Sequence, residues 1–267
     1  MTLPVAPLPR LRWTPGGGAQ DGTRQAAEEV PVALVHDGST TAVMMATPAD
    51  LEDFAAGFSL SEGVVGALSD IREIEVAESE LGLEVRVWLH APQAARLAAR
   101  RRRLAGPTGC GLCGVESLEE AMRPVALVPA SDFKVPASEL LAALAGLADQ
   151  QPLGQATRAV HAAGLWRGGA LAAVREDVGR HNALDKLVGA AARQRLATSQ
   201  GVLLLTSRVS VEMVQKAAVL GAPVLCAISA PTALAVRTAR EAGLTLVAVA
   251  RADGLEVFSH PERIGFE

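Results

Sequence analysis

The chain has 267 residues, enough for one or two domains with a sizeable core, and its 49% hydrophobic against 20% charged residues exclude general disorder. With 25 Lys and Arg against 29 Asp and Glu the net charge is −4, so bulk charge draws the chain to neither nucleic acid nor an anionic membrane, and any anion site must be local. Aromatic residues at 3%, with no Tyr, remove the stacking platforms of single-strand and RNA binders, and three Cys are too few for a disulfide framework.

The opening MTLPVAPLPR lacks the apolar core of a signal peptide, which points to the cytoplasm and reduced thiols. Residues 1–25, rich in Pro, Gly and polar residues, read as a mobile tail. Two strands, 30–35 and 41–45, flank Asp37-Gly38, a pair suited to the positive φ angles of a hairpin turn. Thr47-Pro48-Ala49-Asp50 then opens a helix, with Thr47 as the capping hydroxyl and Leu51, Phe54, Ala55 and Phe58 at helical spacing. Residues 84–89 alternate like a strand with one buried face, so this half reads as a small α+β unit. Arg96 and the run Arg100 to Arg103, closed by Gly106-Pro107, form a basic helix end or a cationic surface beside the first cysteine.

From about residue 138 helix and strand alternate. Leu140, Leu141, Leu144 and Leu147 mark a helix, 171–174 a strand, and Leu184, Leu187, Val188 and Ala191 a helix. Strands at 201–206, 223–228 and 244–250 are separated by helices at 211–220 and 232–242. Apolar strands without alternation imply a largely parallel sheet covered on both faces, with ligands beyond the carboxyl ends of its strands. Residues 217–236 carry no charge and approach the length of a membrane span. Gly221, Pro223, Ser229, Pro231 and Thr232 divide that stretch into a helix end, a strand and a helix start, which makes it buried core. The domain plan is a tail over 1–25, an α+β subdomain over 26–105, a Cys-x-x-Cys loop and linker over 106–129, and an α/β domain over 130–267.

The sharpest local feature is Thr108-Gly109-Cys110-Gly111-Leu112-Cys113-Gly114, three glycines around two thiols, which lets another molecule approach the sulfur closely. A structural zinc site wants a second ligand pair, and only Cys226, inside an apolar strand, remains. A thioredoxin-type motif belongs after the first strands of a small fold, not between two units. A zinc deaminase needs His-x-Glu before Pro-Cys-x-x-Cys, whereas this chain has His161-Ala162-Ala163 and no Pro adjoining Cys110. A nucleophilic or sulfur-carrying thiolate remains.

A second cluster runs from Arg175 to Lys186 through Gly179, Arg180, His181 and Asn182, between a strand and an amphipathic helix. It is either a solvated turn or an anion site on the free N–H groups of a helix start, with Asp185 and Lys186 one turn on to hold the geometry of Arg180 and His181. Ser207-Arg208-Val209-Ser210 and Ser229-Ala230-Pro231-Thr232 each follow a strand and precede a helix. Hydroxyl capping accounts for each separately; their coincidence on one sheet edge suggests a phosphate-bearing ligand.

Taken together these blocks resemble the formate dehydrogenase accessory sulfurtransferase family, FdhD. The resemblance rests on 47–58 with Ser61-Glu62-Gly63, the Cys110 to Gly114 loop, Val160 to Ala163, Val174 to Lys186, Ser210 with 212–216, 229–232 and His260 to Arg263. It implies sulfur transfer from a cysteine desulfurase to the molybdenum (or tungsten) bis-guanine-dinucleotide cofactor of formate dehydrogenase, through a persulfide on Cys110 assisted by Cys113. It further implies a cytidine-deaminase-like three-layer α/β/α C-terminal domain, a roll-like N-terminal subdomain, a homodimer and no intrinsic zinc. The cofactor segment of the family falls on Val249, Ala250, Arg251, Ala252, Asp253 and Gly254, and the guanine-nucleotide phosphates would lie at Ser207, Arg208, Ser229 and Thr232, with Arg180, His181 and Arg251 as charged partners. The chain departs from its relatives at Asp253 and Leu255, where Arg and aromatic residues are common, and at Ser207, where Gly is common.

Overall fold

The computed structural model describes residues 2–95 and 124–266. Cys110, Cys113 and the Arg100 to Arg103 run lie outside the described residues. The first 25 residues are not the expected tail. They form a two-stranded antiparallel hairpin, β1 (Val5–Thr14) and β2 (Gly18–Ala27), paired at every position. Its turn is built on Gly16 and Gly18, both at positive φ, where glycine needs no strain.

The N-terminal unit is a four-stranded sheet of order β4-β3-β6-β5, made of β3 (Val30–His36), β4 (Ser39–Ala46), β5 (Ile71–Ser79) and β6 (Gly82–Leu89). Asp37 and Gly38 have φ of 46° and 74°, the two positive angles anticipated for the hairpin turn. Strand β6 alternates between buried and half-buried residues, as its sequence pattern predicts. Helix α1 (Leu51–Ser61) lies on this sheet, burying Phe54 and Phe58 against Val32, Leu34, Val85 and Val87. Thr47 does not cap it: the cap position is Asp50, in the left-handed region and without a side-chain cap bond. Thr47 is fully buried and bonds the C-terminal domain, receiving the Val178 N–H on Oγ1 at 3.1 Å and donating its own N–H to Asp177 Oδ2 at 3.0 Å.

The C-terminal domain begins with β7 (Val135–Pro136), α2 (Ala137–Asp149) and α3 (Pro152–Thr157). There follow β8 (His161–Arg167), β9 (Ala170–Asp177), α4 (Arg180–Arg193), β10 (Val202–Leu205) and α5 (Val211–Leu220). Then come β11 (Val224–Ala227), α6 (Ala233–Glu241), β12 (Thr245–Arg251) and β13 (Gly254–Ser259), and β14 (Ile264–Gly265) returns beside β7. The sheet order is β13-β12-β11-β10-β8-β9. Within this sheet, among the described residues, only β10, β11 and β12 pair in parallel; β8 is antiparallel to both neighbours and β13 to β12, so the sheet is mixed, not largely parallel. The sequence pattern showed the parallel strands and passed over β8, whose His161-Ala162-Ala163 start reads as a motif fragment.

Alternate residues of the central strands face two cores. Leu203, Leu205, Leu225 and Leu246 pack against α4, α5 and α6, while Val202, Leu204, Val224 and Val247 pack against α2. The uncharged stretch resolves into the end of α5, β11 and the start of α6, and among the described residues no helix is long and apolar enough to cross a membrane. Helix α1 crosses α4 at two glycines. A Cβ on Gly57 would fall on the backbone carbonyl of Asp185, and one on Gly189 on that of Asp53, so the two backbones touch.

Candidate functional site

Strand direction gathers the site. Because β8 is antiparallel to both β9 and β10, strand β9 runs the same way as β10, β11 and β12, and all four carboxyl ends share one edge of the sheet. Arg180 and His181 follow β9, Ser207 and Arg208 follow β10, Ser229 and Thr232 follow β11, and Val249, Ala250, Arg251, Ala252, Asp253 and Gly254 carry the turn from β12 into β13. All these sequence-predicted positions therefore meet at one edge. His161 joins them, since it opens β8 opposite Asp177 at the end of β9.

The loops are stitched together by backbone bonds. Val209 and Pro231 form a parallel bridge, with the Thr232 N–H on the Val209 carbonyl at 2.9 Å, and the Val249 N–H reaches Ser229 O at 3.3 Å. Thr232 caps α6, its hydroxyl oxygen accepting the Ala235 N–H at 3.2 Å, as its position before the helix suggests. Ser207 does not cap; its hydroxyl donates to the carbonyl of Arg208 at 3.2 Å. Val249 has φ of 52°, a conformation costly for a β-branched residue, beside a register shift in the β12–β13 pairing. Strain of this kind gathers at binding sites. Arg208 and Arg251 are exposed, with their guanidinium groups available to a ligand.

At the start of α4 the electrostatics are unusual. Burial, reinforced by Arg180 and Lys216, pushes His181 down to about 4, so it is neutral at pH 7 and cannot serve as the charged partner expected of it. A neutral ring still offers one donor and one acceptor nitrogen. His161 is lowered in the same direction by burial and Arg180. Glu212, in the first turn of α5, is held below its ordinary range: burial opposes this, but hydrogen bonds and the nearby His181 and Arg180 outweigh it. Arg180 Nε and His181 Nε2 are buried without a hydrogen-bond partner among the described residues, which leaves both nitrogens free to meet a further group. Sequence reading passed over Glu212 and set His161 aside; their signal was position, one just inside a helix after a strand end and the other at a strand start.

Asp185 and Lys186 do not hold Arg180 and His181, and neither bonds them. The Lys186 ammonium pairs with Asp177 at 2.6 Å and donates to the Thr47 carbonyl at 3.0 Å. Asp185 accepts from Lys216 at 2.8 Å and from the Ser61 hydroxyl at 2.5 Å, and Lys216 also reaches Glu62 at 2.6 Å. Burial works against the Lys216 charge, but Asp185 and Glu62 outweigh it and raise its pKa. The motif residues of α4 and α5 thus join the two units beneath the site. Cys226, the one cysteine among the described residues, is fully buried in β11, and burial pushes its thiol up to about 12, which leaves it unreactive. The chain re-enters the described structure at Pro124, which with Val125, Ser61 and Gln215 lines a cavity of about 180 Å³ next to the Lys216 network.

Residues 27–265 match the FdhD/NarQ family. The sulfur carrier protein FdhD of Agrobacterium fabrum is 54% identical over 250 residues, which is 93% of this chain and 92% of that protein. The protein of the same name from Cupriavidus necator is 53% identical over 244 residues, 91% and 84% of the two chains. A crystal structure of a protein from Desulfotalea psychrophila, assigned as a formate dehydrogenase accessory protein, superposes with a TM-score of 0.74 at 30% identity over 98% of this chain and 99% of that one.

Proposed function

Because the chain belongs to the FdhD/NarQ family, we propose that it is a sulfurtransferase acting in formate dehydrogenase maturation, with Cys110 as the sulfur carrier. The Cys110 thiolate attacks the terminal sulfur of a cysteine desulfurase persulfide; a new S–S bond forms on Cys110 as the donor's S–S bond breaks and its thiolate departs. Cys113, three residues on, assists release of that sulfur. The substrate to be sulfurated is the molybdenum (or tungsten) bis-guanine-dinucleotide cofactor, which is then delivered to the catalytic subunit of formate dehydrogenase.

The observation that carries this reading is the gathering of four strand-end loops at one sheet edge, in a chain that shares half its residues with proteins named as sulfur carriers. Ser207, Arg208, Ser229 and Thr232 would take the guanine-nucleotide phosphates, Arg251 and Arg180 would supply charge, and His181 would contribute a neutral hydrogen bond. The strained Val249 and the turn through Gly254 would lie against the cofactor. We read the sandwich of α2, the six-stranded sheet and α4 to α6 as cytidine-deaminase-like, without resident zinc, and the α1 unit as the roll-like subdomain. The working form is a cytoplasmic homodimer.

Incubation with a desulfurase and cysteine, followed by mass spectrometry of the thiol peptide, tests the central step. A gain of one sulfur on Cys110, lost in Cys110→Ala together with formate dehydrogenase activation while guanine-nucleotide binding persists, is the expected result. Activation that survives Cys110→Ala, or sulfur found on another residue, overturns it.

A further inference from the structure

The hairpin that replaces the expected tail builds a second concave surface. Strand alternation puts Arg10 and Arg12 on one face of β1, and register puts Arg24 on the same face of β2, opposite Leu8. With Arg158, which ends α3, these residues line a cleft of about 500 Å³ between the hairpin and α3. Among the described residues no carboxylate lines it, and Ala156 is its sole apolar one. Arg24 donates to the Thr157 carbonyl at 3.0 Å and so ties β2 to α3; Arg10, Arg12 and Arg158 have no ion pair among the described residues.

Four guanidinium groups around one hollow repel each other, and like charges on one face weaken a strand pair. The hairpin can least bear that loss, because it pairs with no other sheet and leaves Leu11 and Trp13 more than two-thirds exposed. Arg158 adds a further cost, holding φ of 58° at a helix end where Gly would cap without strain.

We infer that the cleft between the hairpin and α3 is an anion site that takes a small ligand through a pyrophosphate group held by Arg10, Arg12, Arg24 and Arg158. Guanidinium forks match phosphate oxygens in pairs, and all four side chains are exposed to an incoming ligand. A pyrophosphate concentrates its charge inside such a hollow, whereas an extended acidic peptide spreads same-face carboxylates roughly 7 Å apart. Three of the four arginines precede residue 27, where the family match begins, and Arg158 lies within it.

The test is arginine footprinting of the full chain with phenylglyoxal, read by peptide mass spectrometry, with and without inorganic pyrophosphate. Protection of Arg10, Arg12, Arg24 and Arg158 is expected. Calorimetry should show this binding event weakened about tenfold or more in the Arg10→Gln/Arg158→Gln variant, whose exposed positions leave the thermal midpoint of the free protein unchanged or raised. Protection confined to Arg208 or Arg251, an isotherm identical in wild type and variant, or protection by poly-glutamate but not by pyrophosphate would each overturn the inference, the last in favour of an acidic protein partner.

Discussion

His181 shows how far a side chain's chemistry can depart from its letter. Its folded pKa of about 4 lies below the ordinary 6.5, so between those values the unfolded chain binds a proton that the folded chain refuses. The contribution of His181 to stability is then complete above about pH 6.5 and is lost as pH falls through the window. Allowing for partial exposure, denaturant titrations should show about 1–2 kcal/mol lost between pH 7 and pH 5, and a His181→Asn variant should flatten that slope. Arg208 is exposed at the same edge, and Arg208→Ala should weaken guanine-nucleotide binding by roughly 1–3 kcal/mol by calorimetry with no change in thermal midpoint. At this scale the sequence located the groups but not their charge, because burial and neighbours set a pKa and both are tertiary.

Among the elements, those with a single dominant signal were legible. The helix and strand sequence from α5 to β12 follows from apolar runs cut by Gly and Pro, and β6 from strict alternation. The hairpin was not, because its Pro and Gly content obscured a period-two pattern, Pro9-Arg10-Leu11-Arg12-Trp13, that pairs through backbone rather than through a core. Nor did any pattern announce that α1 and α4 touch at Gly57 and Gly189. There the fold demands an absent side chain: Gly189→Ala gains helix propensity, yet its Cβ meets the Asp53 carbonyl, which cannot yield as a side chain would. We expect a net loss of about 1–3 kcal/mol in chemical denaturation, with unfolding still cooperative.

Across the whole molecule, two units of different architecture are held as one by buried charge. Asp53 of α1 pairs with Arg175 and Arg193, Thr47 bonds Asp177 and Lys186, and Ser61 and Glu62 meet Lys216. Removing one member leaves its partner's charge buried and uncompensated. Lys216→Met should cost about 3–5 kcal/mol, and adding Asp185→Leu should restore part of it; equal midpoints for wild type and Lys216→Met would remove the pair from the account of how the units cohere.

Local chemistry in the sequence was enough to set the α/β class, the Asp37-Gly38 turn, the buried fate of the uncharged stretch and the candidate residues at strand ends, since each depends on neighbours along the chain. Tertiary structure alone decided that β8 enters antiparallel and so aligns β9 with the parallel strands, that Asp185 and Lys186 serve the junction rather than the site, and that the first residues make an arginine-lined wall. Those outcomes depend on groups distant in sequence, whose burial and pairing no local pattern encodes.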